Sequence, residues 1–280
     1  MQKIAILTDS ASDLNITLLE KHNIKCLPFR IIYSDKEYED VIEISPEEVY
    51  SSFEKEIPTT SLPSIEKIEK IFNELEAQGY THVISINISS NLSGTLNSVR
   101  LIAKDHPKLT TFVYDTKTLT RAEGIIVLEA ATMVEKGDSF ETIIAMLPQI
   151  REKCHCFFTV KTLKYLQKGG RIGRVSGTIG ELLDLKPIIR VADDGIYTTY
   201  AKVRGRKQSL TKLHEILNDF LSKGKCKVSV LHGDAESGCT DFFNSVKYLD
   251  NITQISMGTI SPALGVHTGP GLIGLIIQEA

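Results

Sequence analysis

KIAILTDS, residues 3–10, is Lys3 and then four apolar residues followed by Thr8, Asp9 and Ser10. A short apolar run ending in small polar residues reads as a strand buried on both faces, its carboxyl end opening into a loop. Asp9 and Ser10 fall at that edge. The same grammar returns in THVISINI, residues 81–88, which leads through the polar loop SSNLSGT into the helical TLNSVRLIAK. TTFVYD, residues 110–115, supplies a third strand of the same kind.

The segments between these strands have helical periodicity. Ile65, Ile68, Ile71, Phe72 and Leu75 share one face, and Gly79 is placed to end that helix. Ser45, Pro46 and Glu48 form the signature of a capping box with proline in the first turn. Ala122 to Glu135 predicts a helix stopped by Gly137, and Asp138 with Glu141 predicts a second capping box for a helix reaching about Glu152. Residues 24–41 break the pattern: CLPFRIIY, a Ser34-Asp35-Lys36 turn and EYEDV predict a hairpin, taken as an insertion. Strands alternating with helices predict a doubly wound parallel sheet, with ligand loops at the carboxyl ends of its strands.

From Cys154 the grammar changes. PIIRVAD, the turn pair Asp194-Gly195 and IYTTYAKVR predict an antiparallel hairpin. Helices over 208–221 and 240–248 and strands KVSVLHG, ITQISMG and GLIGLII complete an α+β unit. The expected fold class is therefore α/β and two-lobed: an N-terminal doubly wound domain over residues 1–153 and a C-terminal α+β domain over 154–280. A ligand is expected in the cleft between them.

Composition excludes several classes. Of 280 residues 42% are hydrophobic and 24% charged, and 32 Lys+Arg against 35 Asp+Glu leave a net charge of -3. No global field would gather nucleic acid. No stretch approaches the roughly twenty apolar residues that span a bilayer, and the opening apolar run is too short for a signal peptide, so the expected location is cytoplasmic. Five scattered cysteines do not suit a disulfide framework. Only Cys154-His155-Cys156 cluster, and without a second Cys/His pair they read as part of an alternating strand, not a metal site.

Familiar catalytic motifs fail on context. Gly269, Gly271 and Gly274 satisfy GxGxxG, but too little chain follows to build a dinucleotide unit. No GxxxxGK[ST] occurs. Ser93 lies in NLSGT, where Asn91 occupies the first glycine position of a nucleophile elbow. Chemistry alone would allow Ser93, His267 and Asp9 or Asp234 as a hydrolase or acyltransferase triad. What remains is a pattern of hydroxyls at strand ends: Thr59, Thr60 and Ser61 in one loop, Ser89, Ser90, Ser93 and Thr95 in another. Singly, each reads as a cap or turn residue. Together, as two loops at the same end of adjacent parallel strands, they would make a neutral, donor-rich pocket for a carboxylate or phosphate.

TDSASDL at the start, PTTSLPS at 58–64, NLSGTLNSV at 91–99, LKYLQKGGRIG at 163–173, DGIYTTYAKVRGRKQSL at 194–210 and GVHTGPGLIG at 265–274 together resemble the DegV family, in order and over the whole chain. The resemblance implies two α/β lobes with a long-chain fatty acid, such as palmitate or oleate, between them and no other cofactor. It also implies a non-catalytic role, as the acyl-binding subunit of a bacterial fatty acid kinase whose separate catalytic subunit makes acyl phosphate for phospholipid synthesis. Contact with membranes would be transient. Carried onto this sequence, the resemblance places the carboxylate on Thr60, Ser61, Ser93, Gly94 and Thr95, with His267 in the same network. Leu62 stands where the family pattern often has Gln, and it cannot donate a hydrogen bond. Arg171, Arg204 and Arg206 are connected by the resemblance with the kinase subunit. The head-group site is therefore expected to consist of hydroxyls and an imidazole, with no buried arginine. Burying about fourteen methylenes at roughly 0.8 kcal/mol each gives a gross term near 11 kcal/mol, enough for tight binding without an ion pair.

Overall fold

The computed structural model describes residues 2–178 and 185–280. In chain order the first half runs β1 (Ile4–Asp9), α1 (Ile16–Lys21), β2 (Ile24–Leu27), β3 (Arg30–Ile32), β4 (Glu37–Glu39), α2 (Pro46–Ser52), β5 (Thr59–Ser61), α3 (Ile65–Ala77), β6 (His82–Asn87), α4 (Thr95–Ala103), β7 (Thr110–Asp115), α5 (Thr120–Lys136) and α6 (Phe140–Glu152). The second half runs β8 (Cys154–Thr159), α7 (Lys164–Lys168), β9 (Leu185–Val191), β10 (Tyr197–Arg204), α8 (Gly205–Leu221), β11 (Cys226–Gly233), α9 (Glu236–Val246), β12 (Ile252–Thr259), α10 (Pro262–Thr268) and β13 (Leu272–Glu279).

Two main sheets face each other across α5. The first has the order β2-β1-β6-β7, every pairing parallel, with Ile6 opposite Ile24 on one side and Ile84 on the other. The second, β10-β9-β8-β13-β11-β12, is antiparallel apart from the β11/β12 pair. Strand alternation separates the layers. Ala5, Leu7 and Val83 pack outward on Ile68 and Phe72 of α3, while Ile6, Ile84 and Ile86 pack inward on Ile126, Val127 and Ala130 of α5. Cys156, Phe158 and Ile276 of the second sheet join that inner core, and Phe157, Val228 and Leu275 face Leu213 and Leu217 of α8 and Phe242 of α9. One continuous core thus binds the two sheets.

The expected parallel strands, the Ser45 capping box and the Asp194-Gly195 hairpin are all present. Three expectations are corrected. Ile24–Leu27 is not part of an inserted hairpin; it pairs in parallel with β1, and the hairpin is only β3/β4, which takes β5 as a third strand. Helix α6 is capped not by Asp138 but by Ser139, which accepts from Thr142 N at 3.2 Å. The backbone N–H of Asp138 is committed to Met133 O at 3.1 Å, closing the end of α5, and Glu141 turns to Gln2 instead. Helix α9 starts one turn before residue 240, because buried Cys239 extends its apolar stripe. The stretch Cys154-His155-Cys156 is an ordinary strand, with His155 Nε2 2.7 Å from Glu279 and both thiols pushed up to about 12 by burial. Among the described residues no helix is long and apolar enough to cross a membrane, and no group of three or more His, Cys, Asp or Glu could hold a metal ion.

Candidate functional site

A cavity of about 180 Å³ lies where the β5 loop, the loop after β6, the residues after α7 and helix α10 meet. Its polar wall includes Thr60, Ser61, Ser93, Arg171 and His267. Leu119, Tyr197 and Leu264 border it and also border a second, apolar pocket of about 30 Å³ walled by Phe158, Leu231 and Ile276. A polar chamber therefore abuts an apolar one through three shared side chains, the arrangement an amphipathic ligand needs.

Each hydroxyl is placed by its backbone. Thr60 and Ser61 are not in a loop at the end of a parallel strand, as expected; they sit on β5 of the small antiparallel sheet β4-β3-β5, because Ile31 and Arg30 of β3 pair with them as Ile31/Thr60 and Arg30/Ser61. They cap no helix; the cap of α3 is Ser64, accepting from Lys67 N at 3.1 Å. Ser61 Oγ accepts from Arg30 Nη2 at 3.1 Å, and Arg30 Nε donates to Leu62 O at 3.1 Å. Thr60 Oγ1 lies 2.7 Å from His267 Nε2. Ser93, 8% exposed, is paired with Thr95 Oγ1 at 2.9 Å and accepts from Thr95 N at 3.3 Å. It stands at the N-terminal, partly positive end of α4, whose cap is Gly94, and that end favours an anion. Gly94 itself lets the two loops approach: a Cβ there would lie 3.3 Å from Leu62 Cδ1. Leu62 thus serves as an apolar wall.

His267 is carried by α10, a helix no periodicity in the sequence revealed, because almost all its residues are buried. Gly169 makes room for the ring, since a Cβ at that position would lie 2.1 Å from His267 Nδ1. Burial, with the Arg171 charge adding to it, pushes the imidazole down to about 4, so the ring is neutral near pH 7. Its Nδ1 is buried without a partner. A bare lone pair there is cheaper than an unpaired N–H, which puts the proton on Nε2, donating to Thr60 Oγ1. The Thr60 hydroxyl proton is then free to donate into the cavity.

Arg171 lies in the cavity wall, donating through Nε to Leu92 O (3.2 Å) and through Nη1 to Gly169 O (2.6 Å). The expected head-group site is hydroxyls and an imidazole with no buried arginine; the structure adds the part-buried Arg171 guanidinium to the cavity wall beside them. Arg204 and Arg206 do not join it. Arg204 is exposed at the end of β10, and Arg206 is half-buried in the first turn of α8. Gly94 and Thr95 act behind the wall, as spacer and as partner of Ser93. The triad also does not assemble: Ser93 Oγ pairs with Thr95, His267 Nε2 with Thr60, and His267 Nδ1 has no partner, so neither Asp9 nor Asp234 orients the ring. Sequence reasoning missed Phe29 and Tyr197, which line the cavity, and Arg30, which braces Ser61 and Leu62 beside it; all three come from a hairpin region and a strand far away in the chain, and no local signal marks them.

Fold and cavity define an α/β protein of two main sheets and a small third one, with a mostly neutral, donor-rich pocket beside an apolar one. The chain belongs to the DegV family: the family model described as "Uncharacterised protein, DegV family" matches residues 3–280. It is similar to a DegV domain-containing protein of Clostridium acetobutylicum, 49% identical over 280 residues and covering 100% of both chains. Among solved structures it resembles a DegV family protein of Thermus thermophilus described by its fatty acid binding (TM-score 0.93, 29% identity, 100% of both chains). It also resembles DegV of Bacillus subtilis, described as a fatty acid binding protein (TM-score 0.91, 28% identity, 100% of both chains).

Proposed function

We propose that this protein binds a long-chain fatty acid between residues 1–153 and 154–280, with the carboxylate in the polar chamber and the chain directed past Leu119, Tyr197 and Leu264 toward the apolar pocket, which widens to admit it. The observation that carries this is the shared wall of Leu119, Tyr197 and Leu264 between the hydroxyl-lined cavity and the apolar pocket. The Thr60 and Ser93 hydroxyls donate to the carboxylate, Arg171 supplies positive potential, and the neutral His267 orients Thr60 without competing for charge. Hydrogen bonds of this kind leave lone pairs on the carboxylate available for reaction.

The family resemblance extends the reading. The protein presents the carboxylate to a separate fatty acid kinase subunit, where a carboxylate oxygen attacks the γ-phosphorus of ATP, ADP departs and acyl phosphate forms. Exposed Arg204 and half-buried Arg206 are assigned to that partner. Palmitate at a hundredfold excess over its Kd should stabilise the protein by about 2.7 kcal/mol, read as a rise in Tm. Ser93→Ala should lose most of that rise; an undiminished rise rejects the head-group assignment. Arg204→Ala should retain palmitate but slow acyl phosphate formation with the kinase subunit, and wild-type turnover would remove Arg204 from the docking surface.

A further inference from the structure

The Thr60–His267 hydrogen bond joins residues 207 positions apart, and its two sides are carried by separate pieces of structure. Asp40, between β4 and α2 and fully buried, lies where those pieces meet. Its Oδ1 accepts from Ala263 N at 3.0 Å, in the first turn of α10, one turn before His267. Its Oδ2 accepts from Ser10 Oγ at 2.6 Å, and Ser10 Oγ accepts from Phe29 N at 3.0 Å. Asp40 N donates to Phe29 O at 2.8 Å. Phe29 precedes β3, whose Ile31 is in register with Thr60. One carboxylate therefore ties the helix bearing His267 to the strand pair bearing Thr60.

We propose that Asp40 is a positioning residue for the head-group site, holding α10 and β3 at the separation at which His267 meets Thr60. The proposal rests on the fatty acid reading for its consequence, though not for its geometry. Asp13 assists, accepting from Ser261 N at 2.8 Å and from Thr120 Oγ1, so two carboxylates hold consecutive donors at the start of α10. The charged groups facing Asp40 are Asp9 and Asp13, and the Cys26 thiol feels Asp9, Asp40, Glu123 and Lys67 together. Buried acids so grouped need defined donors, and Asp40 receives Ala263 N and Ser10 Oγ.

The test has a readout that needs no ligand and one that does. In the ligand-free protein, Asp40→Ala should move the His267 ring resonances toward those of a solvated histidine and raise its titration from about 4 toward 6.5. Asp40→Asn keeps an acceptor for Ala263 N and should leave both near wild type. Should Asp40→Ala fail to fold, Ser10→Ala, which removes only the Ser10 link between Asp40 and Phe29 N and leaves Asp40 N on Phe29 O, should give a smaller shift in the same sense. In palmitate binding, Asp40→Ala should weaken affinity about tenfold, and the double variant with His267→Ala should be no weaker than His267→Ala alone. Unchanged His267 resonances in Asp40→Ala, or in Ser10→Ala where that variant carries the test, would overturn the proposal, as would fully additive losses. Displaced resonances with no palmitate uptake by wild type would leave the positioning role standing and reject the fatty acid reading.

Discussion

The two hydroxyl loops look alike in sequence and are built differently. Ser93 is secured locally, by Thr95 two residues on and by the start of its own helix. Thr60 and Ser61 are secured from afar: Arg30 on Ser61, His267 on Thr60, and behind them Asp40. A local brace survives small movements of the two sheets, whereas a remote one reports them. The Ser93 loop is then the fixed point of the proposed head-group site, and the β5 strand bearing Thr60 the part that depends on both halves being in place.

The largest expected effect is at the donors themselves. Ser93→Ala and Thr60→Val each remove a hydrogen bond to a charged group, worth roughly 1.5–3 kcal/mol, so palmitate affinity should fall about 10- to 100-fold in titration calorimetry. Losses below about threefold in both would mean the carboxylate sits elsewhere. Next is Gly274→Val, in the wall of the apolar pocket, where a Cβ would make ordinary contact with Leu231. Excluding two methylenes at roughly 0.8 kcal/mol each should shift preference about 15-fold from stearate toward myristate. An unaltered chain-length profile would show that the tail takes another path.

Arg30→Met sharpens the contrast between the loops. It removes the brace on Ser61 and Leu62 while leaving Ser93 untouched, and should weaken palmitate about 2- to 10-fold. Affinity equal to wild type would show that the β5 loop needs no remote support. The smallest effect concerns pH. Burial raises Asp9 and Asp13 to about 6 and Asp40 to about 7, so each contributes stability that is complete below its unfolded value near 4 and is lost as pH rises through the folded value. His267, lowered to about 4, acts oppositely, stabilising above 6.5 and losing that contribution as pH falls. Asp40→Asn removes one downward contribution only. Its Tm relative to wild type should therefore climb between about pH 4 and pH 7 and level off above, and a constant difference would show that Asp40 does not titrate in that window.

Sequence reveals what is local. The parallel strands, the Ser45 cap, the α3 face and the Asp194-Gly195 hairpin each carry their signal within a dozen residues, and the structure has them. The hydroxyl loops were visible for the same reason. Arg30, Tyr197 and the helix under His267 were not, because α10 is buried nearly all round and shows no amphipathic period, and β3 meets β5 only after α2 has intervened. Ile24–Leu27 was assigned to a hairpin because four residues beside a true hairpin carry no pattern of their own. Arg171 could be placed near a partner by resemblance, but its place in the cavity wall depends on Leu92 and Gly169 converging in space.

The most direct test of the central claim is to purify the protein, denature it and identify the extracted lipid by mass spectrometry against the host's total lipid. The account predicts a stoichiometric long-chain fatty acid. A protein that releases none, and that takes up neither palmitate nor oleate when they are added, would contradict it.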